Sequence, residues 1–338
     1  MGEGNVAQRS WDGDGRRMML PGEPHLAYQP VVDLASGRLL GFEALLRWDH
    51  PTEGLILPKL LVPWAEANGD IVALGEWVLV EACRQASTWR SSVQVAVNCS
   101  IVQLRRKMAA RAVRRALSDS GLDPDRLTIE VTEHAMADEE AVGELHAIAE
   151  LGVQLSVDDV GTSWSSFDVL RRLAVNTVKI DESFVMGLEA REGINRMVVE
   201  TVVHLAHSAG MSTIAEGVES ALQASIVRRF DSDAAQGYHF SPPLGDEEAT
   251  ALANDPELRF PLEAPESTDI PRGRHVAGRR VAPSPAGAIG AMDAGSPEPG
   301  PSPDPAVPGP TPSPDPAVPG PTPSPDPAVP GRPRLGLV

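Results

Sequence analysis

Eight apolar runs of strand length recur between Leu26 and Phe240, near residues 26–32, 38–46, 93–99, 127–133, 153–158, 176–180, 212–216 and 234–240. Longer stretches with helical periodicity separate most of them, at 71–90, 101–120, 138–151, 192–209 and 219–230. The clearest, INRMVVETVVHLAHSAG, repeats its apolar positions once per helical turn and stops at a glycine. Gly121, Gly152 and Gly210 each stand where a helix hands over to a strand, the position of a C-cap glycine. Eight strands alternating with helices over about 230 residues predict a (β/α)8 barrel. One departure is visible. DLASG, a hairpin-length turn, joins the first two strands, which should therefore run antiparallel. The expected fold is α/β, a modified (β/α)8 TIM barrel with an antiparallel first strand.

Proline sets the boundaries. Of 32 prolines, 23 fall after residue 254, so the last quarter cannot pack like the rest. Residues 1–22, Gly-rich and charged, read as a flexible N-terminal arm, 23–254 as the barrel domain, and 255–338 as a disordered Pro-rich tail. Within the tail, residues 272–280 are basic (RGRHVAGRR), and PSPDPAVPGPT repeats with an 11-residue period from Pro301 to Gly331. Such proline density forbids a helix or a central strand and favours polyproline II, with a reach of about 100 Å from residue 301 to the end. A spacer is the simpler role for it, and a docking strip for a proline-recognising partner of SH3 type is the other.

A formal net charge of −18 would repel polyanions, so neither a nucleic-acid polymer nor an anionic membrane is an expected partner. A small anionic ligand held through bound cations is compatible with it. Cys83 and Cys99 make neither a disulfide framework nor a zinc spacing and read as small buried hydrophobes. The N-terminal RRMML is too short for a signal-peptide core, and no run approaches the roughly 18 apolar residues of a membrane span. A cytoplasmic location is the expectation.

Polar side chains, all but one of them oxygen-bearing, punctuate the strand-like runs. Glu43 lies in RLLGFEALLRW, Asn98 closes VQVAVNCS, Glu130 lies in LTIEVTE, and Asp158 and Asp159 end VQLSVDD. Lys179 in TVKID, Glu216 in STIAEGVE and Gln236 in AAQGYHF continue the series. Barrel active sites lie on the face where the strands end. Carboxylate and amide oxygens without histidine or thiolate form a hard donor set, suited to Mg2+ or Mn2+ rather than zinc. On a regular strand Asp158 and Asp159 point apart, so one would face the barrel axis while the other reaches across from a loop. Two carboxylates there invite a second ion. A metal pair about 3.5–4 Å apart stabilises both oxygens of an in-line displacement at phosphorus and lowers the pKa of bound water to about 7.

Lys179 reads either as a snorkelling surface lysine or as a positioned cation for the water or the developing phosphorane charge, and the series favours the cation. Glu216 could cap a helix, accept a proton from water, or bind metal. The series predicts metal-dependent hydrolysis of a phosphodiester.

QPVVDLASGRLLGFEALLRWDHP resembles the opening of the EAL-domain family, with Glu43-Ala44-Leu45 as the signature triplet. VNCS, IEVTE, DDVGTSWSS, VKIDESFV, IAEGVES and QGYHFSPPL match further family blocks in order, over about residues 24–245. The resemblance implies a phosphodiesterase that opens the messenger cyclic di-GMP to linear pGpG with Mg2+ or Mn2+, on a modified barrel whose first strand is antiparallel, and it implies a homodimer. By motif, it makes Glu43, Asn98, Glu130 and Asp158 ligands of a first ion and Asp159 a ligand of a second. It makes Lys179 the water-orienting lysine, Glu216 a catalytic or metal-linked carboxylate, and Gln236 the group completing the site near the water. Glu133 resembles the anchor of the loop after Asp159, Glu219 a supporting acid, and Gln29 and Arg47 substrate contacts. Arg47 is chemically apt, since a guanidinium pairs with phosphate as a fork.

Several positions depart from the family pattern. DDVGTSWSS stands for the usual DDFGTGYSS, so Val160, Ser163 and Trp164 replace Phe, Gly and Tyr. A serine where that glycine has positive φ would cost about 1 kcal/mol or more and lower activity. Leu60 stands where an acidic residue is common, and Pro242 replaces a basic one. Every expected metal ligand is retained. The competing expectation is a catalytically weak EAL module that serves as a cyclic di-GMP receptor or a protein-interaction module.

Overall fold

The computed structural model describes residues 21–160, 175–190 and 193–262. The loop holding Ser163 and Trp164, residues 1–20 of the expected arm, and residues 263–338 of the expected tail, with its basic segment and repeats, lie outside the described residues.

The elements follow in order: β1 (Glu23–Asp33), β2 (Leu39–His50), β3 (Gly54–Ile56), α1 (Pro58–Asn68), α2 (Ile71–Ala86), β4 (Gln94–Asn98), α3 (Ile101–Arg105), α4 (Ala109–Ser120), β5 (Leu127–Thr132), α5 (Glu133–Met136) and α6 (Glu139–Ala149). Then come β6 (Gln154–Val160), β7 (Thr177–Ile180), α7 (Glu182–Met186), α8 (Ile194–Ser208), β8 (Ser212–Ala215), α9 (Ala221–Arg229), β9 (Ala234–Ala235) and α10 (Asp246–Asn254). Strands β2, β4, β5, β6, β7, β8 and β9 pair in parallel in that order. The ring closes through β1, which runs antiparallel to both β2 and β9. It is the expected eight-stranded barrel with its first strand reversed. The reversal follows from the short turn, in which Asp33 accepts from the Ser36 amide at 2.6 Å and Gly37 takes φ +71°.

Strand registers tie the side-chain phases together. Because side chains alternate across a strand, residues paired in register share a face. Val95, Val97, Ile129, Val131, Leu155, Val157, Val178 and Ile180 are buried on the phase that meets the helices, and these layers form the core. On the opposite phase, inside the barrel, lie Glu43 opposite Ala96, Asn98 opposite Glu130, Glu130 opposite Ser156, and Lys179 opposite Ile214. A period of two therefore gives one apolar face for packing and one polar face for chemistry.

Four local features differ from the sequence expectation. Helix α1 carries Pro58 in its first turn and Pro63 within, residues that interrupt an apparent helical pattern. The stretch 101–120 breaks into α3 and α4 at Lys107, whose φ is +55°. The short β3 adds a hairpin outside the ring. The run 234–240 is a strand only at Ala234–Ala235, because the chain turns at Gly237. At the other end of the domain, the Phe260 amide bonds the Gly37 carbonyl at 2.8 Å, and its ring meets Phe240 edge-on at 6.2 Å.

Candidate active site

The middle of β2, the C-terminal halves of β4, β5, β6 and β7, and the segments after β8 and β9 deliver their polar residues to one point. Lys179 is its centre and is 1% exposed. Its Nζ lies 2.7 Å from Glu216 Oε1, 2.8 Å from Glu130 Oε2, 3.0 Å from Glu43 Oε2 and 3.6 Å from Asp158 Oδ2. The surface-lysine reading is thereby excluded. Asn98 Nδ2 donates to Glu43 Oε1 at 2.7 Å, and Gln236 Nε2 donates to Glu43 Oε2 at 2.7 Å and to Glu216 Oε1 at 2.8 Å. Glu43 thus has donors on both oxygens.

The electrostatics follow from this crowding. Burial alone would raise the Glu43 pKa, but Lys179 and hydrogen bonds from Gln236 and Asn98 outweigh it and hold the carboxyl below its ordinary range. Burial pushes Glu130 up to about 8; Lys179 opposes this, while Glu43 and Asp158 add to it. Burial likewise holds Glu216 well above its usual range despite Lys179, with Asp158 and Glu43 reinforcing it. Burial disfavours the Lys179 charge, yet Glu130, Glu216, Glu43 and Asp158 together raise its pKa well above normal. One ammonium faces four carboxylates, so negative charge is in excess.

Asp158 and Asp159 correct the expectation that they point apart. The register of β6 on β7 slips between Val157 and Val160, and Asp159 has φ +60°. This bulge cancels the alternation. Carboxylate oxygens of Asp158, Asp159 and Glu216 then lie within 4.8 Å of one another. The Asp159 amide donates to Asp158 Oδ1 at 2.9 Å. Burial, the Asp158 charge, and the charge and hydrogen bond of Asp181 push Asp159 up to about 6. Asp181 is a member the sequence reading passed over, although VKID displays it two residues after Lys179.

The remaining expected site residues lie around this centre. Gln29 is half-buried and faces Glu43 across the β1–β2 pair. Arg47 lies further along β2, half-buried, its Nη1 on the Leu46 carbonyl at 2.9 Å. Burial lowers the Arg47 pKa, opposed by Tyr238 and Glu43, so these groups lie within electrostatic reach of one another. Tyr238, exposed just after Gln236, is a second rim residue not foreseen, and QGYHF was the signal for it. Glu133 is buried in the first turn of α5, and Glu219 is exposed ahead of α9. Neither belongs to the four carboxylates around Lys179. Leu60 on α1 and Pro242 are exposed.

Gln236 is fixed by backbone contacts. Its amide bonds the Ala215 carbonyl at 2.9 Å, and its carbonyl accepts from Val218 at 3.0 Å. Gly237 follows with φ +153°, and a Cβ there would lie 2.2 Å from the Val218 oxygen and 2.3 Å from its nitrogen. Because the obstacle is backbone, Gly237→Ala should destabilise the fold by about 3 kcal/mol in denaturant titration. A change within about 0.5 kcal/mol would show that this close approach relaxes freely.

Residues 14–243 match the family described as EAL domain. Among curated relatives, the cyclic di-GMP phosphodiesterase NbdA of Pseudomonas aeruginosa is 38% identical over 235 residues, covering 68% of this chain and 30% of that protein. The bifunctional diguanylate cyclase/cyclic di-GMP phosphodiesterase MucR of the same organism is 39% identical over 232 residues, 67% of this chain and 34% of its own length. The chain spans about a third of the length of these curated relatives. In three dimensions it is similar to the PaMucR phosphodiesterase in complex with c-di-GMP, with TM-score 0.64 and 38% identity over 67% of this chain and 93% of the other. It is also similar to the EAL domain of Mycobacterium smegmatis DcpA, with TM-score 0.58 and 30% identity over 68% and 97% of the two chains. Among the described residues no helix is long and apolar enough to cross a membrane. The matched residues contain the whole cluster around Lys179, and the chain belongs to the EAL domain family.

Proposed function

We propose that the chain hydrolyses cyclic di-GMP, opening one phosphodiester bond to give linear pGpG, with Mg2+ or Mn2+ held at the barrel mouth. The observation that carries this reading is the convergence of Glu43, Glu130, Asp158 and Glu216 on one point, with Asp159 brought in by the bulge.

The donor set fits such ions. It is all oxygen, without imidazole or thiolate, as Mg2+ and Mn2+ prefer. Burial first, and neighbouring carboxylates second, raise the pKa values of Glu130, Glu216 and Asp159, and a divalent cation bound there would favour their charged forms. Glu43, Asn98, Glu130 and Asp158 would hold one ion, and Asp158, Asp159 and Glu216 a second. When bound, the ions supply charge neutralisation at the phosphate and an acidified water.

The chain's own residues do the rest. Asn98 and Gln236 clamp Glu43 from both sides, so its carboxylate cannot rotate away from the axis. Lys179 supplies a positive charge where the phosphorane becomes more negative. Glu216, held by Lys179 and Gln236 through Oε1, would take the proton of the attacking water if it does not bind the second ion. A product with a 5′ phosphate requires the ribose 3′ oxygen as leaving group. At the rim, Arg47 offers a forked donor to phosphate and Gln29 an amide to the ligand. Glu133 and Glu219 act as supporting acids, Glu133 for the chain that follows Asp159.

The test is incubation of the full chain with cyclic di-GMP and Mg2+ or Mn2+, with nucleotides separated by chromatography. Conversion to pGpG is expected to stop on adding EDTA and to return when excess Mg2+ or Mn2+ is restored. Tight binding of cyclic di-GMP without turnover in either metal would replace this reading with that of a receptor.

A further inference from the structure

An ammonium carries three N–H donors. On Lys179, Glu216, Glu130 and Glu43 take all three at 2.7, 2.8 and 3.0 Å, and Asp158 waits as a fourth acceptor at 3.6 Å. An ammonium so committed has no N–H left for a water or a phosphate oxygen. A divalent ion cannot settle among the same oxygens while the ammonium lies between them, because a second cation would then adjoin a buried ammonium. The cage also needs a cation. Its carboxylates come from β2, β5, β6 and the segment after β8, and with nothing positive among them their repulsion would push these strand ends apart.

From this geometry we infer that Lys179 is a place-holding cation. It keeps the carboxylate cage assembled before a divalent ion arrives and yields its place as the ion enters. Only then does it present its N–H groups to water or substrate. Metal loading and the arming of the lysine are one event. In this role Lys179 is a positioning residue, separate from its part in turnover. The inference rests on the metal-dependent reading above.

The test uses the full chain, with Mn2+ as the probe. Lys179→Met removes the charge and keeps an unbranched side chain. The metal-free variant is expected to melt at a lower temperature than wild type, to bind Mn2+ about tenfold more tightly in calorimetry, and to gain more thermal stability from it. Equal or weaker Mn2+ binding by the variant, alongside clear binding by wild type, overturns the place-holder and leaves the metal reading standing. No Mn2+ binding by wild type overturns the metal reading and this inference with it. Should the variant fail to fold, wild-type protein labelled with 15N at lysine Nζ decides the matter. The Lys179 ammonium should exchange its protons slowly without metal, then shift and exchange faster with Mg2+. A Lys179 signal unchanged at saturating Mg2+ rejects the inference.

Discussion

Glu43→Ala is expected to lower pGpG formation by about a thousandfold or more, with the fold retained. The loss corresponds to about 4 kcal/mol of transition-state stabilisation, the scale on which a metal-bearing carboxylate acts. Stability is a contest between two effects. Removing Glu43 leaves the Asn98 and Gln236 amides without one acceptor each, a cost of about 1–3 kcal/mol per group if both stay dry. It also relieves repulsion among four carboxylates that share one ammonium. Asn98 is exposed to solvent and Gln236 keeps Glu216, so the cost is partly offset. The melting temperature should therefore change by only a few degrees. Glu43→Gln should be no milder for activity, because one of its two ends becomes an NH2 group facing donors on both sides. Turnover by either variant within tenfold of wild type would remove Glu43 from the reaction.

Asp159→Asn is expected to reduce turnover by about a hundredfold or more while preserving stability to within about 1 kcal/mol. The residue has φ +60°, a conformation that asparagine and aspartate adopt more readily than other side chains. An amide can also donate to Asp181, whose charge and hydrogen bond contribute to the raised pKa of Asp159. Asparagine thus removes the charge and keeps the bulge. Asp159→Ala removes both and should cost a further 1–2 kcal/mol or so in stability. Comparing the two variants in turnover and chemical denaturation separates metal-holding charge from backbone shape. If asparagine matched wild type in turnover, the second cluster of oxygens would have no part in the chemistry.

Much of this site was legible because a barrel turns strand order into position. The polar residues at successive strand ends needed only the ring to bring them together, and the short DLASG turn revealed the reversed β1. The behaviour of Asp158 and Asp159 was not legible. A strand period of two sends neighbours to opposite faces, and the slip between Val157 and Val160 is a property of the β6–β7 pairing rather than of either residue. Helix α1 was masked by Pro63, whose effect on a helix depends on what packs around it. The shortness of β9 came from Gly237 lying against the Val218 backbone, a contact between segments the sequence lists far apart in meaning though close in number. Asp181 and Tyr238 were in view within recognised blocks, but only their electrostatic influence on Asp159 and Arg47 gives them a place.

The reversed first strand has a consequence for synthesis. Since β1 pairs with β9, the ring is sealed by joining its earliest strand to its last. The bond from Gln236 to Glu43 joins residues 193 positions apart. A ribosome-bound chain stopped before residue 236 carries Glu43, Asn98, Glu130, Asp158 and Lys179 yet lacks the amide that locks the first of them. Catalytic competence should therefore emerge abruptly near the end of domain synthesis rather than grow strand by strand, making this barrel silent until it is whole.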